Sequence, residues 1–483
     1  MLSRVHHVVR NYVYALLADV SQRVAGAILM VVVSRQLGVA EAGIYFLAVS
    51  FALIFTRLAL WGLDQILIRD VAQTPEQTNV YFVNFLALRL VLSLFALVGL
   101  AIVVGGFIHY APHTKRVILI YGLTILPAEV SNICQALFIA RERMGYLAGV
   151  AAFAGFTRLA AGLTGLWAGL GLEGVVGALL LASLVEMSLN LAIVWRRFLR
   201  PHWQLDWGFW RRQLGVAFPF LFIGVSYILE NQFDSVLLSI LKDERAVGIY
   251  GAAAMVLTAL LLIPYAYQTA LYPAMSRLYA TSPAALQQVY AESMRYLFLV
   301  ALPIAVGGAI LAEPIMVGIF RAEFVQSAQV LQVLLWVSFL LFLHMPNARL
   351  MVISNHQSWI ARFLVVTLSI NVVLNLALIP RWGATGAAVA RLVSTSTLVI
   401  LSYGFVNRRI YAYAPVGTWL RPALAVAVMA LVLIFLQSLA LYVLFPLGAV
   451  VYFAALVALG ALSWDDVALL RWLLGGSASI GSQ

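Results

Sequence analysis

Cysteine is nearly absent. Cys134 is the single thiol in 483 residues, so neither an intramolecular disulfide nor a thiolate metal site is available. Charge is scarce too: Asp, Glu, Lys and Arg make up only 10% of the chain, far below the usual share for soluble domains. The seven histidines are scattered, and neither a His-Glu-x-x-His pair nor a phosphate-cradling Gly-x-x-x-x-Gly-Lys loop occurs. No Gly-x-Gly-x-x-Gly follows a strand pattern, and the connections between apolar stretches are too short to hold a catalytic domain. These absences exclude the common enzyme classes, leaving no catalytic residue and no resident metal to assign.

What fills the chain is apolar. Hydrophobic residues make up 64% of it and the mean hydropathy is +0.98, more than ordinary soluble domains could bury. Apolar stretches recur from end to end, which makes this an all-α polytopic membrane protein with about 14 transmembrane helices. The spans fall near 12–34, 43–65, 80–106, 116–140, 146–168, 174–195, 214–240, 248–273, 294–317, 328–352, 358–379, 384–406, 420–440 and 444–463. Met1 to Arg10 is short and basic, and the stretch after it is too long for a signal-peptide core, so no cleaved leader is expected.

The net charge of +11 is not a nucleic-acid signature. With the N-terminus in the cytoplasm, most Lys and Arg fall in inner connections, and both termini are then cytoplasmic. The richest connection, Trp195 to Arg212, interleaves Arg196, Arg197, Arg200, Arg211 and Arg212 with Trp203, Trp207 and Trp210. It reads either as an interfacial segment gripping headgroups or as a linker that joins two mobile halves and steers anions.

That linker lies near the middle of the chain, and the two halves echo each other. Gly43-Ile44-Tyr45 is answered by Gly248-Ile249-Tyr250, 205 positions on. Gly174-Val175-Val176-Gly177-Ala178 is answered by Gly383-Ala384-Thr385-Gly386-Ala387, 209 positions on. Arg89 and Gly105-Gly106 have approximate partners in Arg295 and Gly307-Gly308. An even number of spans per half points to a pseudo-two-fold axis along the membrane normal, with a substrate site expected between the halves.

The motifs then become specific. Ser34-Arg35-Gln36-Leu37-Gly38, Gly43-Ile44-Tyr45, Gly62-Leu63 and Arg69-Asp70-Val71-Ala72 resemble the N-terminal signature of bacterial polysaccharide flippases (O-antigen and exopolysaccharide repeat-unit carriers). Gly248-Ile249-Tyr250, Pro264 and Tyr272-Pro273-Ala274-Met275-Ser276 resemble that family's later signature. Its superfamily of multidrug, oligosaccharidyl-lipid and polysaccharide exporters also holds the lipid II flippases and the MATE antiporters. The resemblance implies an N-terminal lobe 1–195, a linker 196–213, a C-terminal lobe 214–407 and a helix pair with tail at 408–483. Each lobe has six helices, and the two enclose a cavity that opens alternately to either side. The implied cargo is a polyprenyl-pyrophosphate-linked oligosaccharide, moved from the cytoplasmic to the outer leaflet of the bacterial inner membrane for cell-surface polysaccharide biosynthesis. Membrane lipids are further partners, with a polysaccharide polymerase and chain-length proteins as companions. The alternatives are a lipid II flippase and a sodium- or proton-coupled MATE-like antiporter.

A pyrophosphate calls for guanidinium groups. Arg23 and Arg57 sit near the middle of spans, where an arginine costs about 2.5–3.5 kcal/mol unless something offsets it. Arg23 shares a helix face with Asp19, Gln22 and Gly26, and Arg57 with Trp61 and Asp64. Arg23-Val24-Ala25-Gly26 also resembles the Arg-Val-x-Gly stretch of lipid II flippases, whose arginine lines the cavity, although the arginine-rich run expected on helix 2 is reduced here to Arg57. Arg89 and Arg158 are further mid-span cations. Each also has a local explanation: Asp19 one turn from Arg23, and Glu129 and Glu186 as partners for Arg89 and Arg158. Helix 7 carries Glu230, Asn231, Gln232 and Asp234, with two carboxylates one turn apart that suit a sodium ion, a shared proton, or an inter-helix lock. The candidate substrate-binding residues are thus Arg23, Arg57, Trp61, Arg89, Asn231 and Gln232, with Asp19, Glu230 and Asp234 as cavity or coupling acids.

From Pro422 to Trp464 no Asp, Glu, Lys, Arg or His occurs, and the resemblance implies a groove for the polyprenyl tail there. Asp465-Asp466 reads as a solvated helix end. Pro219, Pro264, Pro273, Pro303 and Pro346 are candidate kinks, and Ala161, Gly165 and Gly169 candidate close-packing contacts.

Overall fold

The structure, a computed structural model, describes residues 2–413 and 416–461. Asp465, Asp466 and the end of the fourteenth span lie outside them, as does the side chain of Pro219. Among the described residues every regular element is helical. In chain order these are α1 (Leu2–Leu60), α2 (Leu63–Gln73), α3 (Thr78–Ile102), α4 (Pro112–Gly122), α5 (Ile125–Ala140), α6 (Met144–Trp167), α7 (Gly171–Arg197) and α8 (Trp207–Leu241). They are followed by α9 (Glu244–Leu260), α10 (Leu262–Thr281), α11 (Pro283–Ile310), α12 (Ala312–Phe320), α13 (Ser327–Ile353), α14 (Gln357–Arg409), α15 (Val416–Phe435) and α16 (Leu441–Ala458).

Eleven helical stretches among the described residues are long and apolar enough to cross a bilayer. Two of them, Ala18–Leu60 and Gln357–Arg409, are 43 and 53 residues long. Each is broken at a glycine, Gly38 (φ 83°) or Gly383 (φ 55°), so each holds two crossings. Only glycine takes such a backbone angle without a Cβ clash. Together with the 35-residue α8, these supply the fourteen crossings expected from hydropathy.

Two local expectations change. The second span does not run straight through 65, because Trp61 (φ 50°) and Gly62 (φ 74°) break it before α2 begins. Arg57 and Asp64 therefore lie on different helices and do not share one face. The eighth span, by contrast, stays one apolar stretch, Glu244–Thr281, through Leu261 (φ −68°), although the ring nitrogen of Pro264 three residues on cannot donate to a helical carbonyl. Pro273, Pro303 and Pro346 are inside α10, α11 and α13. Gly165 on α6 packs closely as expected, since a Cβ there would fall 2.6 Å from Gly174 O, whereas Gly169 (φ 71°), beyond the end of α6, meets nothing and is a turn glycine.

The chain packs as two compact units. The first comprises the described residues up to Ala252 together with Asn371–Ala387, the stretch of α14 that brackets Gly383. Its core joins Leu67 of α2, Phe82 and Phe85 of α3, Leu137 of α5 and Phe209 and Trp210 of α8. The second comprises Ala253–Ile370 and the described residues from Ala388 on. In it, Met275, Tyr290 and Leu350 form one cluster, while Leu299, Met429, Leu433 and Tyr452 join α11 to α15 and α16 in another.

Within the first unit, the two members of the Gly-Ile-Tyr repeat touch. A Cβ on Gly43 would fall 1.8 Å from Glu244 O, and one on Gly248 would fall 2.1 Å from Val39 O. A backbone is approached so closely only by a residue without a side chain. Gly43→Val and Gly248→Val are each expected to cost about 1–3 kcal/mol by overpacking. Thermal unfolding of the detergent-purified protein checks this. Gly177→Ala, where nothing lies within 4 Å, serves as the control expected to leave the transition unmoved.

Candidate functional site

Gly43, Ser50 and Arg57 recur every seven residues, so they lie along one face of residues 39–60 of α1. That face follows α8 in the opposite chain direction. Gly43 meets the start of α9 at Glu244, and Ser50 Oγ donates to Gln232 Oε1 at 2.9 Å. Arg57 Cδ passes Gly224, and Gly62 meets Phe220. The two ends of this seam differ. At the glycine end, Thr114 donates to Glu244 (3.0 Å), Tyr110 bonds Ser239 (2.5 Å), and His113 bridges Glu41 (3.1 Å) and Glu173 (2.9 Å). At the arginine end, Phe220, Tyr227 and Asn231, spaced to share a face of α8 with Gly224, are exposed. The seam is closed at Gly43 and open at Arg57.

The four mid-span arginines fare differently. Arg23 Nε donates to both oxygens of Asp19, at 2.9 and 2.8 Å, and both side chains are half exposed. Such an exposed pair contributes about 0–1 kcal/mol and is readily exchanged. Arg89 is fully buried, with Nη1 3.1 Å from Glu129 and Nη2 3.6 Å from Asp64. Breaking a buried pair of that kind costs about 3–5 kcal/mol. Arg158 donates to Glu186 at 2.5 Å, and Gln135 donates to the other oxygen of that carboxylate at 3.3 Å. Arg57 is partly exposed and, alone of the four, forms no ion pair among the described residues.

The polar cluster of α8, Glu230, Asn231, Gln232 and Asp234, divides as well. Asp234 is fully buried and accepts from Tyr250 Oη and Asn375 Nδ2, each at 2.7 Å. Asn375 Nδ2 also reaches Asn371 Oδ1 at 2.9 Å. Asn375 Oδ1 and Asn371 Nδ2 are buried without a hydrogen-bond partner. A carboxylate beside a vacant amide oxygen is an oxygen set suited to a small hard cation or a proton. Glu230, one turn away, is buried too, whereas Asn231 is exposed and donates to Tyr227 O at 2.8 Å. Trp61 Nε1 donates weakly to Leu214 O at 3.4 Å. Sequence reading missed Asn371 and Asn375, although two asparagines one helical turn apart within an apolar span are a legible signal.

The second unit holds an apolar cavity of about 560 Å³ bordered by α11, α13, α15 and α16, with Leu299, Pro303, Met429, Leu433, Leu444 and Phe453 among its walls. Of the two tyrosines in its lining, Tyr296 and Tyr452, the second donates to Leu299 O at 2.7 Å, so that hydroxyl is already satisfied by protein.

Residues 8–279 match the family described as polysaccharide biosynthesis protein. A probable low-salt glycan biosynthesis flippase, Agl15, of Haloferax volcanii is 21% identical over 388 residues, covering 80% of this chain and 81% of that protein. Among solved structures, the lipid II flippase MurJ in an inward closed conformation superposes with a TM-score of 0.78 at 13% identity, covering 95% of this chain and 100% of the other. An inward-facing multidrug transporter of the MATE family superposes with a TM-score of 0.65 at 13% identity, covering 80% and 94%. At these identities the structural likeness establishes the fold.

The environment of Asp234 predicts a ranking. Asp234→Asn keeps the shape of the site, whereas Asp234→Leu removes one acceptor from the buried Tyr250 hydroxyl and one from the Asn375 amide, at about 1–3 kcal/mol each. Thermal unfolding of the purified variants should therefore order wild type and Asp234→Asn well above Asp234→Leu.

Proposed function

We propose, for a chain that belongs to the polysaccharide biosynthesis protein family, that it carries a polyprenyl-pyrophosphate-linked oligosaccharide repeat unit from the cytoplasmic to the outer leaflet of a bacterial inner membrane by alternating access. Arg57 carries the reading: a mid-span guanidinium, partly exposed at the open end of a helix seam, with no ion pair among the described residues. A pyrophosphate supplies the missing anion. Asn231 on the facing helix adds an exposed amide, and Arg23 reaches the cargo by exchanging Asp19 for phosphate. Arg89, locked between Glu129 and Asp64, acts behind them as a positioning residue. The apolar cavity of the second unit offers walls for the isoprenoid tail. Likeness to a protein named as a glycan biosynthesis flippase supports the same class of cargo, and a transporter rather than a catalyst.

In this scheme the lobes are 1–195 and 214–407, joined by the linker 196–213, with the helix pair and tail in 408–483. Both termini are cytoplasmic, which places the Gly43–Gly248 crossing at the outer end as the seal of an inward-open state. A polymerase and chain-length proteins take the product onward. Sodium or protons at Asp234, with Glu230 nearby, supply the drive.

The reading is tested by transbilayer movement of a polyprenyl-pyrophosphate oligosaccharide in proteoliposomes. A charge-assisted hydrogen bond contributes about 1.5–3 kcal/mol, so Arg57→Ala should slow movement by about 10- to 100-fold, and Arg57→Lys by less. Arg23→Ala is expected to be slowed too. Full movement by both alanine variants overturns the proposal. Coupling is checked separately by imposing sodium and pH gradients. Wild type should respond to one of them, and Asp234→Asn or Glu230→Gln should lose that response; an unchanged response at full rate removes the coupling role.

A further inference from the structure

The connection between α7 and α8 is no loose tether. Asn79 at the start of α3 holds it by a reciprocal pair: its Nδ2 donates to His202 O and its Oδ1 accepts from His202 N, both at 3.0 Å. Asn84, fully buried five residues further on, holds the same region. Its Nδ2 donates to Gln204 O (3.0 Å) as well as to Val80 O, and its Oδ1 accepts from Asp206 N (2.9 Å) and Trp210 Nε1 (3.0 Å). Phe198 packs on Phe138 and Tyr146, and Phe209 and Trp210 are buried in the core. The segment is fixed to the first unit, and what it presents outward is determined by that anchoring.

Outward it presents two chemistries at once. Arg196, Arg197, Arg200, Arg211 and Arg212 are all exposed, and none forms an ion pair among the described residues. Between them Trp195, Trp203 and Trp207 are 52%, 61% and 75% exposed, with Leu205 beside them. The one acid of the segment, Asp206, is occupied as the cap of α8, accepting from Phe209 N at 3.1 Å. A water-facing surface has no use for three open indoles, and a surface facing acyl chains cannot hold five guanidinium groups. The combination belongs at the headgroup level, where indoles are anchored and guanidinium groups meet phosphate.

We propose that residues 195–212 form a fixed docking surface for anionic phospholipid headgroups of the surrounding bilayer. It follows from charge complementarity and from the rigid presentation by Asn79 and Asn84, and it does not depend on the identity of the transported cargo. Five guanidinium groups without internal counter-ions attract an anionic leaflet in proportion to their number. Lysine substitutes in this role because the attraction is one of charge.

The test is native mass spectrometry of the full chain released from neutral detergent micelles doped equally with phosphatidylglycerol and phosphatidylcholine. Wild type should retain the anionic lipid preferentially. Glutamine at all five arginines should lower the anionic-to-zwitterionic ratio by at least about tenfold, and lysine at the same five should keep most of it. Trp203→Ala with Trp207→Ala should lower retention of both lipids together. The proposal is overturned if the glutamine variant keeps the wild-type ratio, or if the lysine variant loses it as fully as the glutamine one. It is overturned equally if Arg408→Gln with Arg409→Gln lowers the ratio as much, or if inorganic phosphate at constant ionic strength displaces the lipid.

Discussion

An arginine within a membrane-spanning helix must be met by something, because the hydrocarbon around it offers neither water nor counter-ion. That constraint organises the polar interior of the first unit. Asp19 answers Arg23 along one helix, Glu129 and Asp64 answer Arg89 between helices, and Glu186 with Gln135 answers Arg158. These compensations differ in kind. The pair at Arg89 is a buried strut whose loss would strand a charge, whereas the pair at Arg23 is exposed and contributes little by itself. Arg57 stands apart because no carboxylate pairs with it among the described residues.

The seam that holds Arg57 shows how glycine and polarity are used in sequence along one face. At Gly43 and Gly248 the absence of side chains lets two backbones meet, and Thr114, Tyr110 and His113 tie the neighbouring ends together. One heptad on, Ser50 and Gln232 exchange a hydrogen bond; a heptad further, the guanidinium lies against Gly224. Closure and access are thus properties of one helix face, graded by side-chain size. Asp234 is close in sequence to this seam, yet its partners Tyr250 and Asn375 come from other helices. It is buried with them, separate from the exposed residues of α8.

The second unit works with different materials. Its cavity is walled by Leu299, Met429, Leu433 and Leu444, and the charge-free stretch from Pro422 onward contributes two of its helices. Where a polar atom does occur at this wall, as at Tyr452, the backbone of Leu299 already satisfies it.

The primary structure by itself determined the membrane class, the fourteen crossings and the repeat, because span length and hydropathy are properties of contiguous residues. The pairing of Asp19 with Arg23 was legible for the same reason: four residues on a helix are one turn. Folding alone decided which long-range partners exist. Periodicity suggests that Arg57 and Asp64 share a face, but the break at Trp61 and Gly62 gives Asp64 to Arg89 and leaves Arg57 with no ion pair among the described residues. The selection of Asn375 and Tyr250 for Asp234, and the meeting of the two Gly-Ile-Tyr motifs, likewise depend on helices more than a hundred residues apart or on opposite sides of a turn. Local spacing fixes what lies along a helix, but which helix stands opposite is set by packing across the whole unit, and that information is not carried by neighbouring residues.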